Sequence, residues 1–169
     1  MLQKILIKKI VFSDYLAVNF IDRVFANPQF FTGFENLMAL FVYSLQVYAD
    51  FSGYTDIAIG LAMLMGFYLP KNFDSPYKAT NPGGFWKRWH ITLSRFFTKN
   101  IYIPLGGNRR GNTRMYANLF LVFFFSGLWH GAGWNYILWG VYFAIFLVLE
   151  KFWLNKFFEK LPRFISHIY

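Results

Sequence analysis

The sequence predicts an all-α integral membrane protein with several helices, including broken transmembrane helices and an amphipathic helix at the membrane interface. The chain has 169 residues, of which 56% are hydrophobic and 24% aromatic, whereas soluble domains contain about 45–50% apolar residues. Its net charge of +9 comes from basic clusters that flank long uncharged runs, as they do at the ends of membrane spans. Glycines and single polar residues interrupt those runs, which indicates helices that break at membrane depth.

The composition also excludes several kinds of site. Nucleic-acid-binding domains are often basic, but the uncharged runs here are too long for such a domain, so we expect no nucleic-acid partner. Because the chain has no cysteine, it has no disulfide, thiol nucleophile or thiolate metal ligand. We expect no metal site and no bound cofactor. Any catalytic group must therefore be a histidine, an aspartate, a hydroxyl or a backbone group.

Charge and hydropathy divide the chain into three segments. In residues 1–35, charged side chains interrupt short apolar runs, which predicts an interfacial helix and a connecting loop. Residues 36–155 contain the long apolar runs and are predicted to form the central membrane domain. Residues 156–169 are predicted to form a basic tail.

The stretch 36–70 is a long apolar run whose only charged residues, Asp50 and Asp56, flank the sequence FSGYT. As one helix it would be about 50 Å long, well beyond a hydrocarbon core of about 30 Å, so we expect it to bend near Gly53. A carboxylate can fix the tautomer of an imidazole by accepting its N–H, which makes both aspartates candidate orienting or supporting groups. Either aspartate can instead cap a half-helix that begins after Gly53.

The stretch 71–114 carries nine basic side chains and a single acid, Asp74. The positive-inside tendency places this stretch on the cytoplasmic side. Within it, FWKRWHITLSRFFTK has a helical period, with aromatic residues on one face and cations on the other. This pattern predicts an amphipathic helix at the membrane surface, with His90 at the edge of its apolar face.

The cations of this stretch have two interpretations. Lysine, arginine and tryptophan commonly anchor a protein to anionic lipid headgroups. Alternatively, Arg88, Arg109 and Arg110 form a docking surface for the phosphates of coenzyme A or for an acidic carrier protein.

From Met115 to Leu149 the one ionisable group besides tyrosines is His130. This run is too long for one span and slightly short for two, so we expect a broken or hairpin pair of helices. The flexible backbone for the break would come from Gly127, Gly131 and Gly133.

The two histidines are the candidate catalytic residues. An ionisable residue within the membrane is by default a functional candidate, and a neutral imidazole can take the proton of an attacking hydroxyl. His130 is the stronger candidate and His90 the second. The alternative for His130 is a structural histidine bonded to a neighbouring helix, and for His90 an interfacial residue or a tether to the polar stretch.

Three segments, in this order, resemble the membrane-bound O-acyltransferase family. They are YADFSGYTDIAIG, NFDSPYKATNPGGFWKRWHITLSRFFTKNIYIPLGGNRRG and SGLWHGAGWNYILWG. The resemblance runs from about residue 36 to residue 150, and the YIPLGGNR element is similar to the alginate O-acetyltransferase branch. Family members are several hundred residues long and have more spans than this chain has room for. We therefore expect a partial family domain, whose activity on its own is doubtful.

The resemblance implies a function. Family members pass an acyl group, here expected to be acetyl, from acetyl-CoA or another cytoplasmic acyl thioester across the membrane to hydroxyls of a cell-surface polysaccharide. It implies that His130, in the WHG motif, is catalytic and that His90, in the RWH motif, is the second characteristic position. It also implies a multi-pass protein of the bacterial cytoplasmic (inner) membrane. The implied partners are membrane lipids, the polysaccharide acceptor and periplasmic acetyltransferase proteins.

Two other functions are compatible with the residues. Broken helices with intramembrane aspartate and histidine are typical of transporters and channels, although the sequence has no internal inverted repeat. A non-catalytic membrane scaffold would retain the motifs without a complete site. Transfer of an acyl group distinguishes the enzyme from both.

Overall fold

The computed structural model describes residues 7–154, and in that range all regular secondary structure is helical, with no β-strand. The prediction of an all-α fold is confirmed. The predicted basic tail, 156–169, and the first six residues of the predicted interfacial segment lie outside the described residues. The chain divides into two compact units, Met1–Pro70 and Lys71–Tyr169.

The first unit begins with short helical pieces and continues into one long helix. Two π-helical segments, Ile7–Tyr15 and Ala17–Ile21, lead into helix α1, Asp22–Ala26, and a 3₁₀ turn follows at Pro28–Phe30. Helix α2 then runs from Gly33 to Leu64.

Both ends of α2 are closed by standard capping motifs. At the start, the Glu35 amide donates to Thr32 Oγ1 at 3.2 Å and the Thr32 amide donates to Glu35 Oε2 at 2.8 Å, which is a capping box. At the end, the Phe67 amide donates to the Ala62 carbonyl at 2.8 Å. Gly66 allows this turn because its φ of +81° lies in the left-handed region.

Helix α2 is continuous through Gly53, so the chain does not leave the helix where a bend was predicted. Its 32 residues make a helix about 48 Å long. One glycine inside a helix costs only about 1 kcal/mol relative to alanine, which is too little to end a long helix with two closed caps. Gly53 instead packs against the first π-helical segment, where a Cβ would lie 3.6 Å from Lys9 Cβ. The half-helix that an aspartate might have capped does not form.

The second unit contains two short helices and a helical hairpin. A 3₁₀ turn at Pro76–Lys78 precedes α3, Pro82–Trp86, and α4, Ile91–Phe97, which continues as a π-helical turn, Thr98–Tyr102. The hairpin consists of α5, Asn112–His130, and α6, Trp134–Leu149, and α6 continues as a π-helical segment, Glu150–Leu154.

The predicted amphipathic helix is present as two helices, α3 and α4, rather than one. The chain leaves the helix before His90, whose φ of 44° and ψ of 55° are left-handed. The reason is a non-local pairing of backbone groups. The Asp74 amide donates to the Arg88 carbonyl and the Ile91 amide donates to the Asn72 carbonyl, both at 2.9 Å. A continuous helix would need the same groups for its own hydrogen bonds.

The hairpin breaks where the sequence predicts a break, between His130 and Trp134, at Gly131 and Gly133. Gly127, by contrast, lies inside α5 and serves in packing. A Cβ at Gly127 would lie 3.2 Å from Gly140 Cα, so the two helices meet backbone to backbone. Next to this contact lies a small core of Phe123, Ala144 and Leu147.

Within the described residues, one helix is long and apolar enough to cross a membrane. It comprises Trp134–Trp153, 20 residues, and therefore includes α6 and its π-helical continuation. A length of 20 residues matches the thickness of a hydrocarbon core.

Candidate active site

The second unit contains a cavity of about 740 Å³ that both candidate histidines line. Its volume falls within the range of small-molecule sites, about 300–1,000 Å³. Side chains from the two short helices and from the hairpin meet there. The charged side chains and imidazoles that line it are Lys87, His90, Arg95, His130, Glu150 and Lys151.

His130 is the last residue of α5 and lies where the hairpin breaks. Its ring makes edge-to-face contacts with Trp129 and Trp139, each with the centroids 5.0 Å apart. These indole rings limit the positions that the imidazole can adopt. The break in the helix therefore presents His130 at the cavity between two aromatic side chains.

His90 lies between α3 and α4 and is half-buried. Its Nδ1 is 3.2 Å from Asn72 Oδ1. Burial, and in second place the nearby His130, lower the pKa of His90 to about 4. The ring is therefore neutral at physiological pH, and the neutral ring is the form that accepts a proton or a hydrogen bond.

The structure brings the two predicted histidines together. Trp129 contacts both rings, with its centroid 6.1 Å from that of His90 and 5.0 Å from that of His130. Both rings also line the same cavity. Two imidazoles at one cavity can accept or donate protons at two positions of a bound substrate.

Glu150 is the acidic side chain that lines the cavity, and it was not among the predicted site residues. The side chain is buried, with 4% exposed, and its Oε2 accepts a hydrogen bond from the Gly83 amide at 2.7 Å. Burying a carboxylate is costly unless it is hydrogen-bonded, so this contact is structurally significant. The sequence did contain a signal for Glu150, because the helical period places it on the same face of the helix as Phe143 and Leu147.

We expect replacement of Glu150 by alanine to destabilise the second unit. The substitution leaves the partly buried Gly83 amide without its acceptor, which costs about 1–3 kcal/mol. Glutamine offers a carbonyl oxygen at the same place, so Glu150→Gln should retain most of the stability. Thermal unfolding in detergent compares the two variants, and equal melting temperatures for Glu150→Ala and the unmodified protein would contradict the prediction.

The arginines proposed for donor docking lie elsewhere in the second unit. Arg88 donates from Nη1 to the Asp74 carbonyl at 3.0 Å, and Arg110 packs its alkyl chain against Gly106, where a Cβ would lie 2.9 Å from Arg110 Cδ. Neither of these nor Arg109 lines the cavity, whose cations are Lys87, Arg95 and Lys151. The docking role of the three arginines stays a prediction.

The two candidate orienting aspartates belong to the first unit. Asp56 forms an ion pair with Lys8 at 2.9 Å. Asp50 pairs with Lys9 and accepts from Ser13 Oγ at 3.1 Å. These contacts join α2 to the first π-helical segment, and a role of either aspartate in the reaction stays a prediction.

Comparison with known proteins adds a second line of evidence. A model of the MBOAT, membrane-bound O-acyltransferase family matches residues 3–160. The chain is 44% identical over 164 residues to a peptidoglycan O-acetyltransferase of Helicobacter pylori, which is 95% of this chain and 31% of that protein.

Two further relatives have similar extents. A probable alginate O-acetylase of Pseudomonas putida is 47% identical over 145 residues, 86% of this chain and 30% of that protein. A teichoic acid D-alanyltransferase of Bacillus subtilis is 34% identical over 137 residues, 75% of this chain and 34% of that protein. The chain thus spans about a third of the length of the curated relatives it matches.

Proposed function

The chain belongs to the membrane-bound O-acyltransferase family, and we propose that its two histidines are the reaction centre of an O-acyltransferase. The acyl group, acetyl in our proposal, passes from a cytoplasmic thioester, acetyl-CoA or another, to hydroxyl groups of a cell-surface polysaccharide. The names of the relatives support an acceptor of this kind, because two of them are O-acetyl-transferring proteins named for peptidoglycan and alginate.

The observation that carries the proposal is the meeting of His90 and His130 at one cavity of about 740 Å³. In the proposed reaction, His130 takes the proton of the acceptor hydroxyl while its oxygen attacks the thioester carbonyl carbon. A C–O bond forms and the C–S bond breaks. The proton then passes from His130 to the departing thiolate, so the products are an ester and a thiol.

His90 has a different part in the proposal. Its neutral ring accepts a hydrogen bond from a bound substrate and thereby holds that substrate beside His130. A hydrogen bond of this kind positions the reacting groups, which can contribute as much to the rate as the proton transfer itself.

We place the protein in the bacterial cytoplasmic membrane as a multi-pass protein, with periplasmic acetyltransferase proteins as partners. The apolar helix Trp134–Trp153 supports a membrane location. Many large apolar side chains on the described helices are exposed, among them Leu138, Ile145 and Phe152. Lipid would cover such side chains in a bilayer.

The proposal is tested by reconstituting, in liposomes, the full polypeptide in which this sequence occurs. Labelled acetyl-CoA is supplied on one side, and peptidoglycan or alginate fragments on the other. We expect alkali-labile label to appear on one of these polysaccharides. Movement of label or polysaccharide across the bilayer without ester formation would support a transporter instead, and stable partner binding without turnover would support a scaffold.

A further inference from the structure

We infer that Asn72 is a positioning residue that fixes the tautomer and the orientation of His90. The inference rests on the proposed function, because Asn72 would orient His90, one of the two histidines of the proposed reaction centre. Asn72 lies at the start of the second unit, in the irregular segment before the 3₁₀ turn. It is buried, with 7% of its surface exposed.

Three donors surround the side-chain oxygen of Asn72. The Thr92 amide donates to Oδ1 at 3.2 Å and the Thr92 hydroxyl donates to it at 2.9 Å. His90 Nδ1 lies 3.2 Å from the same oxygen. A backbone amide can only donate, so the atom that faces Thr92 must be the oxygen of the Asn72 amide and not its nitrogen.

This assignment determines where the proton of His90 resides. An amide oxygen can only accept, so the hydrogen bond requires the proton on Nδ1 of the imidazole. In the neutral ring, Nε2 then carries the basic lone pair. Asn72 thus selects the tautomer in which Nε2 is the accepting atom.

Asn72 also supports the strained backbone of His90. A φ of 44° is unfavourable for a residue with a side chain. The carbonyl of Asn72 accepts from the Ile91 amide at 2.9 Å, and its side chain holds Thr92. The residue therefore restrains the two positions that follow His90 as well as the ring itself.

An amide is suited to this position in a way that a carboxylate is not. A carboxylate would accept the same hydrogen bonds, but its negative charge would raise the pKa of His90 and favour the imidazolium. The other charged or titratable groups at the cavity are His130, Glu150, Lys87, Arg95, Lys151 and Tyr102. With asparagine in place, the pKa of His90 stays at about 4 and the ring stays neutral.

The experiment compares Asn72→Asp and Asn72→Ala in the full polypeptide. Nitrogen NMR of ¹⁵N-histidine-labelled protein reports which ring nitrogen carries the proton, and a His90→Gln sample identifies the His90 signals. We expect Nδ1 to be protonated in the unmodified protein and the preference to be lost in Asn72→Ala. In Asn72→Asp the pKa of His90 should rise by at least about one unit.

The rate of acyl transfer gives the second readout. The proposed reaction needs both His90 and His130 neutral, so the rate falls at acidic pH when either ring is protonated. Asn72→Asp raises the pKa of His90 and should therefore move this acidic limb to higher pH. Asn72→Ala should lower the rate about 10- to 100-fold, as loss of an orienting partner does elsewhere. The charge-matched control is Asn100→Asp, at an exposed residue that does not line the cavity, and it should leave the limb unchanged.

Two results would overturn the inference. One is a His90 ring with its proton on Nε2 in the unmodified protein. The other is a pKa of His90, followed through the same NMR signals, that is the same with asparagine or aspartate at position 72. Failure of the proposed function has a different signature, namely no acyl transfer by the unmodified protein while the NMR tautomer is as expected.

Discussion

Replacement of His130 by alanine is expected to lower the rate of acyl transfer by at least about 100-fold, because general base catalysis contributes about 10²- to 10⁴-fold. The substitution removes the imidazole at the break of the hairpin, and the tryptophans that contact it cannot take a proton. Initial rates of ester formation measure the loss in the full polypeptide. Added imidazole should restore part of the rate, since the truncation leaves room for a ring at the cavity.

The matched control for this substitution is Leu128→Ala. Leu128 lies on the same helix, is 39% exposed and does not line the cavity. Truncating it removes a side chain of similar size from the same turn of α5, so we expect a rate within about threefold of the unmodified protein. A folded His130→Ala variant that transfers acyl groups at the unmodified rate would eliminate His130 as the base.

The break of the hairpin was predictable because its cause is local. Gly131 and Gly133 lie within a few residues of His130, and an apolar run of this length needs a break to fit a membrane. The same length argument predicts a bend in α2 near Gly53, and the helix runs through that glycine without an interruption. That prediction was based on the thickness of the bilayer and on the presence of Gly53, whereas the continuity of α2 depends on closed caps at both ends and on packing along its length.

The site was predictable in part for the same reason. His130 stands out as an ionisable residue in an apolar run, and His90 was selected at the edge of the apolar face of the predicted amphipathic helix. Their partners do not stand out. Gly83 and Glu150 are 67 positions apart, and Asn72 meets His90 across an intervening turn and helix. Such contacts depend on the tertiary fold. The helical period places Glu150 on one face with Phe143 and Leu147, but it does not identify Gly83 as the partner of Glu150 or Asn72 as the partner of His90.

The left-handed conformation of His90 illustrates the limit of periodicity. The helical pattern extends through positions 85–99, with aromatic side chains on one face and cations on the other. Hydrogen bonds from Asp74 and to Asn72 nevertheless interrupt the helix. A hydropathy pattern depends on side chains and does not report which backbone groups pair with each other. The interruption that positions the imidazole was therefore not predicted.

The contact between the hairpin helices leads to the second large effect, a strong destabilisation by Gly127→Ala. The added Cβ would lie 2.5 Å from the Tyr136 carbonyl oxygen and 3.2 Å from Gly140 Cα. Both are backbone atoms and cannot rotate away, so α5 and α6 must separate. Overpacking of this kind costs about 1–3 kcal/mol and occasionally more, and we expect the upper part of that range. Thermal unfolding in detergent measures the change.

Gly60→Ala is the matched control, because it adds the same methyl group to a helix where no atom lies within 4 Å of the new Cβ. It should be neutral or stabilising by up to about 1 kcal/mol, the difference in helix propensity.

Gly140→Ala offers the reciprocal test, since its Cβ would lie 2.5 Å from the Phe123 carbonyl oxygen. Once one substitution has separated the helices, the second should cost less, so the double variant should be more stable than the sum of the single effects predicts. Strict additivity, or equal melting temperatures for Gly127→Ala and Gly60→Ala, would mean that the hairpin helices do not meet at these glycines.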